Sequence, residues 1–141
     1  MIVGVAKEVF PGERRVALVP AILPSLTKAG LEVVIEGGAG VEAGYWDQAY
    51  QEKGARIAAS RDEVLAADIL LLVRMAGAAG EHAGWNGARP KPGAVAIGTA
   101  DPLGSPAAAL EAAQCGATLF SLELLPRITR AQSMDVLSSM A

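Results

Sequence analysis

The chain has 141 residues, 52% of them hydrophobic, with few aromatics and a formal net charge of −3. That length suits one domain able to bury roughly two-thirds of its unfolded surface without a metal or a disulfide. The scattered charge excludes a basic face for nucleic acid or a polybasic membrane patch, and the longest apolar runs, such as ILLLV at 69–73, fall far short of the ~20 residues of a spanning helix.

The N-terminal MIVGVAKE carries a lysine and a glutamate and lacks a long apolar core, so it reads as the start of the fold and not as a signal or transit peptide. Short β-branched runs separated by helical patterns predict βα units and an open, mostly parallel α/β sheet with helices on both faces. The first strand is Ile2 to Ala6. The stretch KEVFPGERRVALVP (7–20) then places Lys7, Glu8, Glu13, Arg14 and Arg15 beyond its carboxyl end, which is where ligands bind in such sheets. A solvated loop is the plainer reading, although Arg15, followed at once by Val16 and Ala17, is expected to point inward. Pro20 opens a helix whose Ile22, Leu23 and Leu26 share a face and which stops at Gly30.

The second strand is Glu32 to Glu36. GAGVEA (38–43) follows it and matches the G-x-G-x-x-A dinucleotide fingerprint in form. A true fingerprint opens into an apolar helix, whereas GYWDQAY comes next, so a glycine-rich turn is the favoured reading. The third strand is Ala55 to Ala58, and Ser60 with Glu63 has the spacing of a capping box. The fourth is Ile69 to Arg74. Residues 76–93 contain five glycines and two prolines, predicting a loop or one poorly formed helix. His82 lies there without Cys or His neighbours and reads as a loop residue, with no metal site expected.

The fifth strand is Ala94 to Gly98. Ser105-Pro106 starts an Ala-rich helix ending near Gly116. Cys115, in that helix, excludes an internal disulfide and reads as a small buried thiol. The sixth strand is Thr118 to Leu122; strand order is not legible from these patterns. PRITRAQSMDVLSSMA (126–141) ends the chain, with Pro126 fixing the turn that brings Arg127 out at the carboxyl edge. A helix beginning near Gln132 would align Gln132, Asp135 and Ser139, with Ser138 beside them, opposite Met134, Leu137 and Ala141. Such a rim suits a carboxamide and a ribose; an ordinary N-terminal capping cluster explains it equally well.

GVAKEVFPGERRVALVPAILPSLTKAG (4–30) resembles the N-terminal signature shared by alanine dehydrogenases and the NAD(H)-binding component of proton-translocating NAD(P) transhydrogenase. PRITRAQSMDVLSSMA is similar to the transhydrogenase loop that carries an Arg, a Gln and an Asp, and EGGAGVEAGYWD (36–47) extends the similarity along the chain. Ala6, Gly12 and Val19 depart from the usual residues without removing a charge.

The resemblance implies a Rossmann/flavodoxin-like first subdomain over residues 1–125. Residues 126–141 would form the Arg/Gln/Asp loop and the start of a connecting helix, with a second, NAD(H)-binding subdomain after Ala141. It implies that Arg127, Asp135 and Ser138 hold the nicotinamide carboxamide and ribose, and that Gln132 reaches toward NADP(H) on a partner component. Hydride would pass directly between the two nicotinamides, coupled to proton translocation by a membrane-spanning partner. A peripheral homodimer on the cytoplasmic side of a bacterial inner membrane would be typical. An alanine dehydrogenase would want a substrate-facing Arg, a Lys after the fourth strand and a His after the fifth. Arg15 is present, but the fourth strand runs into Arg74-Met75 and the fifth into GTADPL, with Thr99 and Asp101. A non-catalytic dimerisation or regulatory module of the same fold is the remaining alternative.

Overall fold

A computed structural model describes residues 1–82 and 89–136. Six strands form one parallel sheet: β1 (Ile2–Val5), β2 (Glu32–Glu36), β3 (Arg56–Ala58), β4 (Ile69–Arg74), β5 (Val95–Thr99) and β6 (Thr118–Ser121). Each lies within one residue of its apolar run. The spatial order is β3-β2-β1-β4-β5-β6, the doubly wound order whose direction reverses between β1 and β4.

Alternation along the strands divides the core in two. Val3, Val5, Val33 and Ile35 face α1 (Leu23–Lys28) and α2 (Asp47–Glu52) and pack with Leu23 and Tyr50. Leu70, Leu72 and Ala96 face the other way, against Val64 and Leu65 of α3 (Arg61–Leu65) and Ala112 of α4 (Pro106–Gln114). Right-handed crossovers explain the division. The chain winds one way from β1 to β3 and the other way from β3 to β6, so helices change faces at the switch point. The face that α1 and α2 cover over β1–β3 is therefore left open over β4–β6, where the cross-strand row Leu71, Ile97 and Phe120 lies. Phe120 is 56% exposed.

The local signals acted as expected, with three corrections. Pro20–Ile22 forms a 3-10 turn ahead of α1, and this rotates Ile22 out of the shared face to 49% exposure while Leu23 is fully buried. Ser105 does not cap α4 with its side chain; the preceding turn is closed by its backbone N–H donating to the Asp101 carbonyl at 2.9 Å. Cys115 is half-buried, not buried, and its Sγ donates to the Glu111 carbonyl. At α3 the capping pair does form. Ser60 Oγ accepts from the Glu63 N–H, and Glu63 Oε2 accepts in return from the Ala59 N–H at 2.9 Å. Residues Gly77–His82 are a 3-10 segment interrupted at Gly80.

GAGVEA is a turn. Val41–Ala43 is one 3-10 turn, and α2 starts only at Asp47. A Cβ on Gly40 would lie 2.6 Å from the hydroxyl of buried Tyr50, which donates to the Leu18 carbonyl at 2.9 Å. The glycine is required by packing. No helix among the described residues is long and apolar enough to cross a membrane.

At Gly4 of β1, an added Cβ would meet the Val64 carbonyl at 2.6 Å, so α3 sits on β1 only because no side chain intervenes. Gly4→Ala is expected to destabilise the domain by about 1–3 kcal/mol through overpacking, read as a lowered urea midpoint with an unchanged slope.

Candidate functional site

The long connection from β1 to α1 crosses the switch point, and its irregular backbone is held by carboxylates. Glu8 accepts from the N–H groups of Val73 (2.7 Å) and Arg74 (3.1 Å) at the carboxyl end of β4. Glu36 Oε2 accepts from the Lys7 N–H and from Arg61 Nη1, both at 2.8 Å. Glu13 accepts from Arg15 through Nε (2.7 Å) and Nη2 (2.8 Å), and from Arg74 Nε at 2.7 Å. The Arg74 guanidinium also lies 4.3 Å over the Phe10 ring, a cation–π contact.

So held, the loop forms one wall of a cleft over the open half of the sheet. The larger lobe, about 610 Å³, is lined mainly by apolar groups, among them Val16, Ala17, Leu71, Ile97, Phe120 and Met134. The adjoining lobe, about 300 Å³, is lined by Arg15, Thr99, Leu122, Glu123, Leu125, Arg127, Asp135 and Val136. Arg15, Thr99, Leu122, Leu125 and Val136 border both. Thr99 Oγ1 donates to the Val73 carbonyl at 2.5 Å, tying β5 to β4 at the cleft floor.

Beyond β5 the chain turns sharply. Asp101 has φ +45°, a left-handed conformation that Asp tolerates by local hydrogen bonding, and its Oδ1 accepts from the Gly104 N–H at 3.2 Å. Glu123 Oε1 accepts from the N–H groups of Ala100 (2.8 Å) and Asp101. Burial pushes the Glu123 carboxyl up, but backbone donors outweigh it and hold the group below the ordinary carboxylate value.

The terminal cluster is arranged differently from the single helix expected. Thr129–Met134 forms a 3-10 segment, Asp135 is extended (φ −72°, ψ 103°), and helical backbone resumes at Val136. Gln132 and Asp135 therefore do not share an α-helical face. Asp135, half-buried, joins Arg127 in the smaller lobe; Gln132 is exposed and borders neither lobe. Ser138 and Ser139 lie outside the described residues. Arg15, 45% exposed, turns toward the cleft and not into the core. Sequence reading missed the interior role of Glu13, whose side chain is 5% exposed, and the floor position of Thr99. The one signal available for Glu13 was its place between Phe10 and two arginines, since a carboxylate there has cations within reach.

The family model described as alanine dehydrogenase/PNT, N-terminal domain, matches residues 4–141. The chain is 38% identical over 142 residues to the NAD(P) transhydrogenase subunit alpha of Cereibacter sphaeroides, covering 100% of this chain and 26% of that one. It is 38% identical to an NAD(P) transhydrogenase alpha-subunit chain of Rhodospirillum rubrum, covering 99% of this chain and 36% of the relative. It is 39% identical to the alanine dehydrogenase of Bacillus subtilis over 74 residues, 52% of this chain and 20% of the enzyme. Among solved structures, a transhydrogenase from Sinorhizobium meliloti superposes with TM-score 0.85 at 41% identity over 99% of this chain and 40% of that one. An L-alanine dehydrogenase gives the same TM-score at 25% identity, covering 99% and 37%. The chain spans about a quarter to two-fifths of the length of these full-length matches.

The two loop glutamates are displaced in opposite directions from the ordinary carboxylate value. Hydrogen bonds from Arg15 first, then from Arg74, hold Glu13 at about 2, so its stabilisation is fully present above the ordinary value of 4.5 and is lost as pH falls toward 2. Burial raises Glu8, and its contribution runs the other way, fading as pH rises above 4.5. Urea titrations across this range are expected to show an acid limb that Glu13→Gln flattens by about 1–3 kcal/mol, allowing for solvent around the two arginines.

Proposed function

The chain belongs to the alanine dehydrogenase/PNT N-terminal domain family, and on that premise we propose that it forms one wall of the NAD(H) cleft of a proton-translocating NAD(P) transhydrogenase. A second, NAD(H)-binding subdomain supplies the other wall. A partner component holds NADP(H), and a membrane-spanning partner couples hydride transfer to proton movement. Homodimerisation and a cytoplasmic, peripheral place at a bacterial inner membrane belong to the same reading.

The observation that carries it is the join between the two lobes. A flat apolar wall of Leu71, Ile97 and Phe120 meets a rim bearing Arg127 and Asp135, which fits a planar ring carrying a carboxamide and a ribose. Arg127 donates to the carboxamide oxygen and Asp135 accepts from the amide or a ribose hydroxyl. Ser138 adds a hydroxyl to the same group. Gln132, exposed beyond the rim, reaches toward the second dinucleotide. When bound, the nicotinamides supply the hydride and its acceptor. The chain then orients the ring, excludes water along the apolar wall and leaves its open side to the partner.

Alanine oxidation is disfavoured by the residues at the strand ends. Arg74, where a lysine is wanted, is engaged by Glu13 and stacked on Phe10. Asp101, in the turn where a histidine is wanted, is committed to its own backbone turn. A guanidinium is a poor proton shuttle at neutral pH.

In the full-length subunit assembled with its NADP(H) partner, Arg127→Ala is expected to weaken NADH binding about tenfold. Gln132→Ala should slow hydride transfer by at least about tenfold with NADH affinity nearly unchanged. An unaltered affinity in Arg127→Ala would remove the carboxamide role and favour a non-catalytic module. Equal losses of rate and affinity in Gln132→Ala would remove the bridging role.

A further inference from the structure

Glu13 has a more specific duty than anchoring its loop. Its Oε1 accepts from the Arg15 backbone N–H (3.1 Å) and from Arg15 Nε (2.7 Å). Its Oε2 accepts from Arg15 Nη2 (2.8 Å) and Arg74 Nε (2.7 Å). Four donors occupy one carboxylate, and the paired contact through Nε and Nη2 fixes the plane as well as the position of the Arg15 guanidinium. Arg74 is itself held, by the Phe10 ring and by donation from Nη1 to the Ala78 carbonyl at 3.3 Å.

Yet Arg15 stays 45% exposed and borders both lobes. A half-exposed arginine on an irregular loop ordinarily samples many rotamers. Here the paired Nε and Nη2 contacts hold the guanidinium against Glu13 at the cleft, with Nη1 outside that contact. Anchoring the loop to β4 would need only the Arg74 contact. The two-point grip on Arg15 adds nothing to that anchor, and its effect is on where the cation points.

Resting on the NAD(H) reading of the cleft, we propose that Glu13 is a positioning residue that aims Arg15, as a second guanidinium beside Arg127, at an acceptor oxygen on the nicotinamide half of the dinucleotide. Glu13 touches no ligand; it acts through Arg15. Preorganisation of this kind strengthens binding by removing the ordering cost from the binding step.

The test compares the affinity of the full-length subunit for NADH and for ADP-ribose, which lacks the nicotinamide. Arg15→Ala and Glu13→Gln should each weaken NADH binding about tenfold and leave ADP-ribose binding unchanged, and the double variant should be no weaker than Arg15→Ala alone. Glu13→Asp, which keeps the charge, should recover part of the loss. A cooperative urea transition with unchanged slope shows that each variant is folded, and retained ADP-ribose binding confines the loss to the nicotinamide half. Unchanged NADH affinity in Arg15→Ala or Glu13→Gln, parallel loss of both ligands, or additive losses in the double variant would overturn the positioning role. Wild-type protein that binds NADH no better than ADP-ribose, with Arg127→Ala also without effect, would instead overturn the cleft reading beneath it.

Discussion

The geometry of the cleft depends on two carboxylates from the β1–α1 loop taking their hydrogen bonds from the end of β4. The loop has no regular structure to satisfy its own backbone, and it crosses the point where the sheet reverses direction. Glu8 caps the last N–H groups of β4, and Glu13 binds the Arg74 side chain that follows them. Tyr50 secures the far end of the loop at Leu18. With these contacts in place, Arg15, Val16 and Ala17 face Leu122, Leu125 and Met134 across the open half-sheet. Burial opposes ionisation of Glu8, so this arrangement carries a cost in stability, as functional edges of folds commonly do.

That half-sheet is open for a reason of handedness. Crossover helices change faces at the switch point, so Leu71, Ile97 and Phe120 have no helix of their own among the described residues, although their counterparts Val3, Val5 and Ile35 do. An exposed apolar row beside a polar rim marks a binding surface more often than a packing defect. On the proposed reading the chemistry asked of it is modest, since direct hydride transfer needs alignment and exclusion of water, which apolar walls and fixed hydrogen-bond donors can supply.

Strand positions were legible because buried parallel strands are continuous β-branched runs, and ILLLV or VVI leaves little choice of structure. The turn at GAGVEA was legible because no apolar helix follows its glycines. Strand order was not, since it depends on pairings between residues far apart in sequence. Ile22 and Asp135 were misplaced for a shared reason: a 3-10 turn advances the chain by about 120° per residue, against about 100° in an α-helix, so facing inferred from α-helical spacing fails across it. Glu13 looked like one charge among five in a polar loop. Its burial follows from Arg74, sixty-one residues away, which local pattern cannot reveal. The terminal cluster drew attention by composition, and Arg127 and Asp135 do meet in one lobe while Gln132 stands outside it.

The most direct test of the cleft's role is to combine the full-length subunit with its NADP(H)-binding partner and follow reduction of an NAD analogue by NADPH, beside a control with alanine and NAD. Transhydrogenation without alanine oxidation is the predicted result. Alanine oxidation, or neither reaction, would contradict it.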